Sequence, residues 1–391
     1  DTPGQSGKSP QVIPIRTGFL SADGSEAAPE ELFTLTETTQ TFVVEGFDEA
    51  PKLSLLRGFS APVLLNRETT NTDRAFLLTH DTDPFNKWDA GRAFALNLLQ
   101  DMALNGTAPD PAFAQAMQVI ANNETLDPAF RALVLALPSE EAIAQAIFDA
   151  GNTPDPSSIH QARADLTTAV AQNLGTDLQK IYNANAVSGP YTPDAKSAGQ
   201  RALRSAMLTL ISQIEPECAT AQAQFDTADN MTEQMAALTQ LIAQNAGDSA
   251  TQSFYTQWQK DRLVIDKWFT VQVAAAKPET AVETAQSLTQ HPDFDWKNPN
   301  RYRALIAGFA MMNPAGFHRA DGAGYRFFAD WLIKLDPINP QTTARMCGGF
   351  ETWRRYDSNR QKLMRQELAR IAALEDLSKD SAEIIGKILG D

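Results

Sequence analysis

The sequence predicts a mainly α-helical chain: an irregular, HEAT-like superhelix of helical hairpins, preceded by a small and incomplete β-sandwich. Three observations carry this. β-branched and Thr-rich runs are confined to residues 11–67. From about residue 84 onward, Asp-Pro and Asn-Pro pairs recur, each opening a stretch with helical apolar spacing. Short polar or Pro-containing punctuation separates those stretches, as in stacked helical hairpins. No fixed repeat length emerges, which sets aside tetratricopeptide and ankyrin arrays.

Residues 1–10 are polar and rich in Gly, Ser and Pro, as in a linker or loop. Val12-Ile13-Pro14-Ile15 is a short β-branched run, and Thr34 to Val44 is dense in Thr and ends in Phe42-Val43-Val44. Both suit half-buried strands. Asp23-Gly24 marks a turn and Glu45-Gly46 a weaker one. A further run, Leu53 to Leu65, contains Pro62, which limits it to an edge or a strand end. So few strands rarely stand alone, and the sandwich is expected to continue upstream. The helical part opens at Asp83-Pro84, with Asp as N-cap and Pro at the first position, and runs through Trp88, Phe94, Leu96 and Leu99. Similar starts stand at Asp127-Pro128, Ser139-Glu140, Asp155-Pro156, Asn298-Pro299, Asp336-Pro337 and Asn339-Pro340. Long helices are expected over 156–184, 195–214, 230–245, 299–312 and 357–374. Pro190, Pro216, Asn245-Ala246-Gly247, Pro278, Pro292, Asn313-Pro314 and Gly348-Gly349 punctuate them.

A length of 391 residues suits two or three domains. With 43% apolar and 21% charged residues the composition is that of a soluble globular protein. No apolar run approaches the roughly 20 residues of a membrane span. The N-terminus lacks both an initiator Met and the apolar stretch of a signal peptide, so a processed chain or a fragment is expected. The net charge of -15 argues against general nucleic-acid binding and against docking on anionic lipid. An acidic surface weakly favours cationic partners such as peptide amino termini, and otherwise serves solubility. The two cysteines, Cys218 and Cys347, lie far apart with no metal spacing. Reduced, buried thiols in a cytoplasmic protein are the expectation.

A zinc-peptidase motif needs two His one helical turn apart, so that they share a helix face, with Glu as general base on the metal-bound water. The four His are His80, His160, His291 and His318, and none begins H-E-x-x-H. They are expected at the surface or at helix caps. Gly7-Lys8-Ser9 has the ending of a phosphate loop, but Thr2 stands where the first glycine belongs. Gly322-Ala323-Gly324 lacks the third glycine of a dinucleotide loop and reads as the turn before a helix starting near Tyr325. No G-x-S-x-G elbow is present. Trp268-Phe269 and Met311-Met312 read as core. No catalytic residue and no metal ligand is assigned.

Several segments, in order along nearly the whole chain, resemble the aminopeptidase N family of bacterial zinc peptidases. They are Phe59-Ser60-Ala61-Pro62-Val63, Asp83-Pro84-Phe85-Asn86-Lys87-Trp88-Asp89-Ala90, Ile181-Tyr182-Asn183-Ala184-Asn185 and Asp229-Asn230-Met231-Thr232. The stretch from Trp258 to Gln272 follows, then Asn298-Pro299-Asn300-Arg301-Tyr302-Arg303-Ala304-Leu305-Ile306. Asn313-Pro314-Ala315-Gly316-Phe317-His318, Asp321-Gly322-Ala323-Gly324-Tyr325, Asn339-Pro340-Gln341 and Arg355-Tyr356-Asp357 complete the series.

The resemblance implies that residues 1–68 are the later part of a small β-sandwich and residues 69–391 a complete helical superhelical domain. It implies a parent enzyme, monomeric and zinc-dependent, that removes N-terminal residues from peptides. Its zinc and amine-recognition motifs would lie in an upstream catalytic domain, so this chain alone is expected to hold no zinc and to be inactive. The implied role of the helical domain is to close over the active site and wall the substrate chamber. By position in the family's motifs, Arg303 and Arg345 would face the far end of a bound peptide, where a guanidinium fork can grip a carboxylate. Each has a plainer use. Arg345 near a helix end would favour the dipole and last carbonyls, and Arg303 could pair with an acidic neighbour. A free-standing helical scaffold that binds peptides or proteins in its concave face is the other reading.

Overall fold

The computed structural model describes residue 4, residues 7–9 and residues 11–390; the other residues of the expected 1–10 linker, and Asp391, lie outside the described residues. The chain divides into two compact units, Asp1–Leu98 with Asp110–Leu137, and Leu99–Pro109 with Pro138–Asp391.

The first unit contains one three-stranded antiparallel sheet, β1 (Ile13–Leu20), β2 (Glu26–Leu35) and β3 (Lys52–Leu55), in the order β2-β1-β3. The turn expected at Asp23-Gly24 joins the first two strands, with Gly24 at φ 86° and Asp23 accepting from the Ser25 amide. The proline in the central strand is tolerated because β3 pairs only with Thr17–Leu20, so no ladder partner waits for an N–H at Pro14. Ser60 fills that side: its hydroxyl donates to the Pro14 carbonyl (3.0 Å) and accepts from the Arg16 amide (3.1 Å). The strand expected over Thr34–Val44 ends at Leu35. Beyond it the chain turns back, Phe42 packing on Phe33 at 4.8 Å and Phe47 on Phe19 at 5.4 Å. Aromatic contacts there outweigh the β propensity of the threonines.

The segment Asp83–Lys87 ties this sheet to the first helices. Asp83 accepts from the amides of Asn86, at the start of Pro84–Asn105, and of Gly58. Asn86 donates to Ser54 Oγ and to the Leu55 carbonyl. Lys87, 5% exposed, donates to the last carbonyls of helix Asn71–His80, at Leu78 and Thr79. Burial lowers its pKa. Arg57 is buried beside them, donating to Ser54, Glu26 and Asp81, and Gly18 leaves the space its guanidinium occupies.

The second unit is a stack of helices, most of them packing on near neighbours in the chain. Asp177–Ala184 and Pro156–Leu174 lie on Ala195–Ile214, Met231–Ala243 on Arg262–Ala275, and Ala323–Leu335 on Ser358–Ala372. The expected helix over 156–184 is two, broken where Gly175 takes φ 51°. Local capping accounts for most starts. Asp127, Ser139, Asp155, Asn298 and Asn339 each accept a backbone amide of the first turn, an interaction worth about 1 kcal/mol apiece. Asp336 differs. It closes helix Ala323–Leu335, and its buried carboxylate accepts from Ser378, the N-cap of Lys379–Leu389, and from the Ser381 hydroxyl. The densest core surrounds Phe317, edge-on to Phe309, Tyr325 and Phe328 at 5.9, 5.3 and 5.5 Å.

Candidate functional site

Arg303 and Arg345 both lie in the second unit. Asn298 caps the short helix Pro299–Tyr302, and Arg301 and Tyr302 turn inward from it. Arg301 is buried over the Phe269 ring, 2.5 Å from Asp266 Oδ1, and also donates to the Asp293 and Arg262 carbonyls. That side chain is a fastener between helices. Arg303, the next outward residue, is exposed. Its guanidinium donates to Asn300 Oδ1 at 2.5 Å, a neutral amide that leaves the positive charge uncompensated.

Arg345 lies on helix Pro340–Cys347, whose neighbours Ala344, Met346 and Cys347 are buried while Arg345 is exposed. Among the described residues it makes no hydrogen bond or ion pair, so it does not bond the last carbonyls of its helix. The residues beside the two arginines share a core environment. Tyr302 is fully buried and its hydroxyl finds no partner among the described residues. Burial first, and then the Cys347 thiol, push its pKa well up. The Cys347 thiol is itself pushed up to about 12, by burial and then by Asp336. Both thiols are free and buried. Arg303 and Arg345 form no direct bond with each other.

The other residues singled out by sequence fall as follows. Trp268 and Phe269 are core, at 5% and 0% exposure. Met311 and Met312 are not; at the end of the short helix Gly308–Met312 they are 50% and 57% exposed, a correction to the core reading. His80 packs on Phe76, His160 bonds Glu140, and His291 stacks among Tyr255, Trp268 and Phe269. His318, expected near the surface, is buried and bonded to the Tyr325 hydroxyl. Among the described residues no group of three or more His, Cys, Asp or Glu side chains is placed to hold a metal ion. No helix of the described residues is long and apolar enough to cross a membrane.

Sequence reasoning did not foresee a cleft of about 380 Å³ lined by Gln179, Tyr182, Arg204, Thr220, Gln224 and Thr227. Apart from Arg204 Nε, which has no hydrogen-bond partner among the described residues, its polar walls are largely committed to one another. The Tyr182 hydroxyl donates to Gln224 and accepts from Arg204, which also pairs with Glu233, and Thr220 donates to Glu215. Groups so engaged have little to offer a ligand, and the cleft is a gap between helices.

Fold and site together define a helical-repeat module carrying a small β element, with exposed arginines on the stack and no metal cluster of its own among the described residues. Residues 71–390 match a domain of unknown function (DUF3458_C) described as ARM repeats, and residues 1–68 match a domain of unknown function (DUF3458) with an Ig-like fold. The chain belongs to this DUF3458 family. It is 41% identical to the aminopeptidase N of Caulobacter vibrioides, covering 95% of this chain and 43% of that protein. Aminopeptidase N of Escherichia coli is 34% identical over 99% of this chain and 46% of its own length. A crystal structure of Legionella pneumophila aminopeptidase A in complex with aspartic acid superposes with a TM-score of 0.85 at 30% identity, over 97% of this chain and 45% of that one. The chain thus spans less than half the length of the relatives it matches, and it corresponds to the C-terminal part of aminopeptidase N.

Proposed function

We propose that this chain is the non-catalytic C-terminal portion of a zinc-dependent aminopeptidase that removes N-terminal residues from peptides. Residues 1–68 serve as the β part, and residues 69–391 cap the active site and wall the substrate chamber. The names of the relatives support the activity. Zinc, when bound in the parent, supplies an activated water and polarises the scissile carbonyl; its ligands belong to the upstream catalytic domain, and this portion alone is inactive. Two free, buried thiols suit a reducing, cytoplasmic setting.

The observation that carries the reading at residue level is Arg345. A guanidinium fork held out from a rigid helix with no protein partner among the described residues is prepared to receive a carboxylate with two parallel N–H donors. Arg303, bonded among the described residues only to a neutral amide, adds a second positive charge. A wall that excludes bulk water strengthens both interactions. What these residues do is bind and orient the far end of the peptide; proton transfer and bond cleavage lie elsewhere in the parent.

The test is made in the full-length enzyme. Replacing Arg345 with Ala is expected to raise KM for a free-carboxylate peptide about tenfold, the scale of one lost charge-assisted hydrogen bond. The kinetics of an amino-acid anilide should stay as in wild type. Equal effects on both substrates would reduce Arg345 to a cation favouring its helix end.

A further inference from the structure

The stretch expected as one helix over 299–312 is interrupted. Between Pro299–Tyr302 and Gly308–Met312 the chain makes a π-turn over Arg303–Ala307. Within it the Gly308 amide donates to the Arg303 carbonyl, five residues back. Such turns are rare and packed less favourably than the α-helix, so one that persists is held from outside. The outside contact here is Thr270, on helix Arg262–Ala275. Its hydroxyl lies 3.0 Å from the carbonyl of Ala304, the second residue of the turn, and 3.0 Å from the Asp266 carbonyl in its own helix. One proton shared between two carbonyls makes that hydroxyl a bridge from one helix to the other.

The turn changes what shares a face. An α-helix advances about 100° per residue, so the extra residue rotates everything before it by about that angle relative to everything after it. In an unbroken helix, Arg303 and Met311 would stand about 80° apart; with the inserted residue taken up they stand within about 20°. Arg303 and Met311, which the second geometry brings to one face, are both exposed, whereas Phe309 and Ala310 are buried. The π-turn therefore decides the direction in which Arg303 projects.

We propose that Thr270 is a positioning residue, whose hydroxyl holds the π-turn and so sets the face from which Arg303 reaches a peptide carboxylate. The proposal rests on the reading of Arg303 given above. The experiment compares a tetra-alanine peptide with its C-terminal amide in the full-length enzyme, for wild type, Thr270→Val, Thr270→Ser and Arg303→Ala. Loss of the hydroxyl in Thr270→Val is expected to raise KM for the free-carboxylate peptide about three- to tenfold, with kcat and the amide's KM unchanged. Thr270→Ser keeps the hydroxyl and should keep the wild-type preference. A Thr270→Val enzyme that retains the preference, or loses affinity equally for both peptides, overturns the role of Thr270. Retained preference in Arg303→Ala overturns the reading beneath it as well. A preference lost in Arg303→Ala but kept in Thr270→Val removes Thr270 alone.

Discussion

His160 stands 2.7 Å from Glu140 Oε1, across the junction of two consecutive helices. The hydrogen bond to Glu140 raises its pKa, burial opposes the rise, and the charges of Glu140 and Glu279 add to it against that of Arg163. Its side chain is 45% exposed, so water and salt screen the pair, which is worth under about 1 kcal/mol. A folded pKa above the unfolded one means that this contribution is complete below about pH 6.5 and is lost as pH rises through the folded value. His160→Gln should therefore be less stable than wild type at about pH 5.5 and converge with it by about pH 8.5. Urea melts at the two pH values check this, and a gap that widens with rising pH would contradict it. His318 shows why residue type alone does not decide such behaviour. Burial, and then the charges of Arg355 and Arg360, hold its pKa well below the usual value, so it stays neutral through the same window. That burial depends on Tyr356, whose ring lies 4.2 Å away, and a count of histidines and their sequence neighbours carries no trace of it.

Helix starts were legible because a cap is a local bond: the Asp127 carboxylate meets amides two and three residues on, and the sequence displays both partners. Strand ends were less so, since Phe42 abandons a β-prone run for a ring at Phe33 that only the fold brings close. The π-turn was invisible, because the hydroxyl that bonds it, Thr270, is on another helix. Glycines sort the same way. Gly386 lies mid-helix with open space where a methyl group would stand, nothing coming within 4 Å, whereas a Cβ on Gly324 would stand 2.3 Å from the Phe317 carbonyl. Gly386→Ala is expected to stabilise by about 0.5–1 kcal/mol through helix propensity. Gly324→Ala gains the same propensity but must push helix Ala323–Leu335 off a backbone carbonyl, for a net loss of about 1–3 kcal/mol. Denaturant unfolding of the two variants should shift in opposite directions; a shared direction would mean that the close approach at Gly324 relaxes without cost.

On the scale of the whole second unit, its last segments grip its first. Arg355, with a side chain 3% exposed, reaches both carboxylate oxygens of Glu141 across 214 positions and donates to the Tyr356 hydroxyl at 2.6 Å. Arg360 pairs with Asp155, the N-cap of Pro156–Leu174, at 3.0 Å and donates to the His318 carbonyl. Both acids sit at helix N-termini, and Asp155 accepts from the Ser158 amide, so Arg360 meets a carboxylate already bound to its helix. Nothing in the local sequence pairs residue 355 with residue 141. By the same logic Arg303 and Arg345 are proposed on family resemblance alone, since composition and spacing give no reason to prefer them over Arg301 or Arg355, which turn out to be buried fasteners. The fastening role predicts a localised defect. In Arg355→Met, Glu141, 54% exposed, rehydrates, but the buried Tyr356 hydroxyl loses its donor, for a cost of about 1–3 kcal/mol. A double-mutant cycle with Glu141→Gln should give a coupling of about 0.5–3 kcal/mol. Hydrogen exchange should quicken in helix Glu140–Asp149 more than in Met231–Ala243, which touches neither partner. Uniform quickening of both helices, with zero coupling in the cycle, would show that Arg355 acts by filling space and not by joining the two ends of the stack.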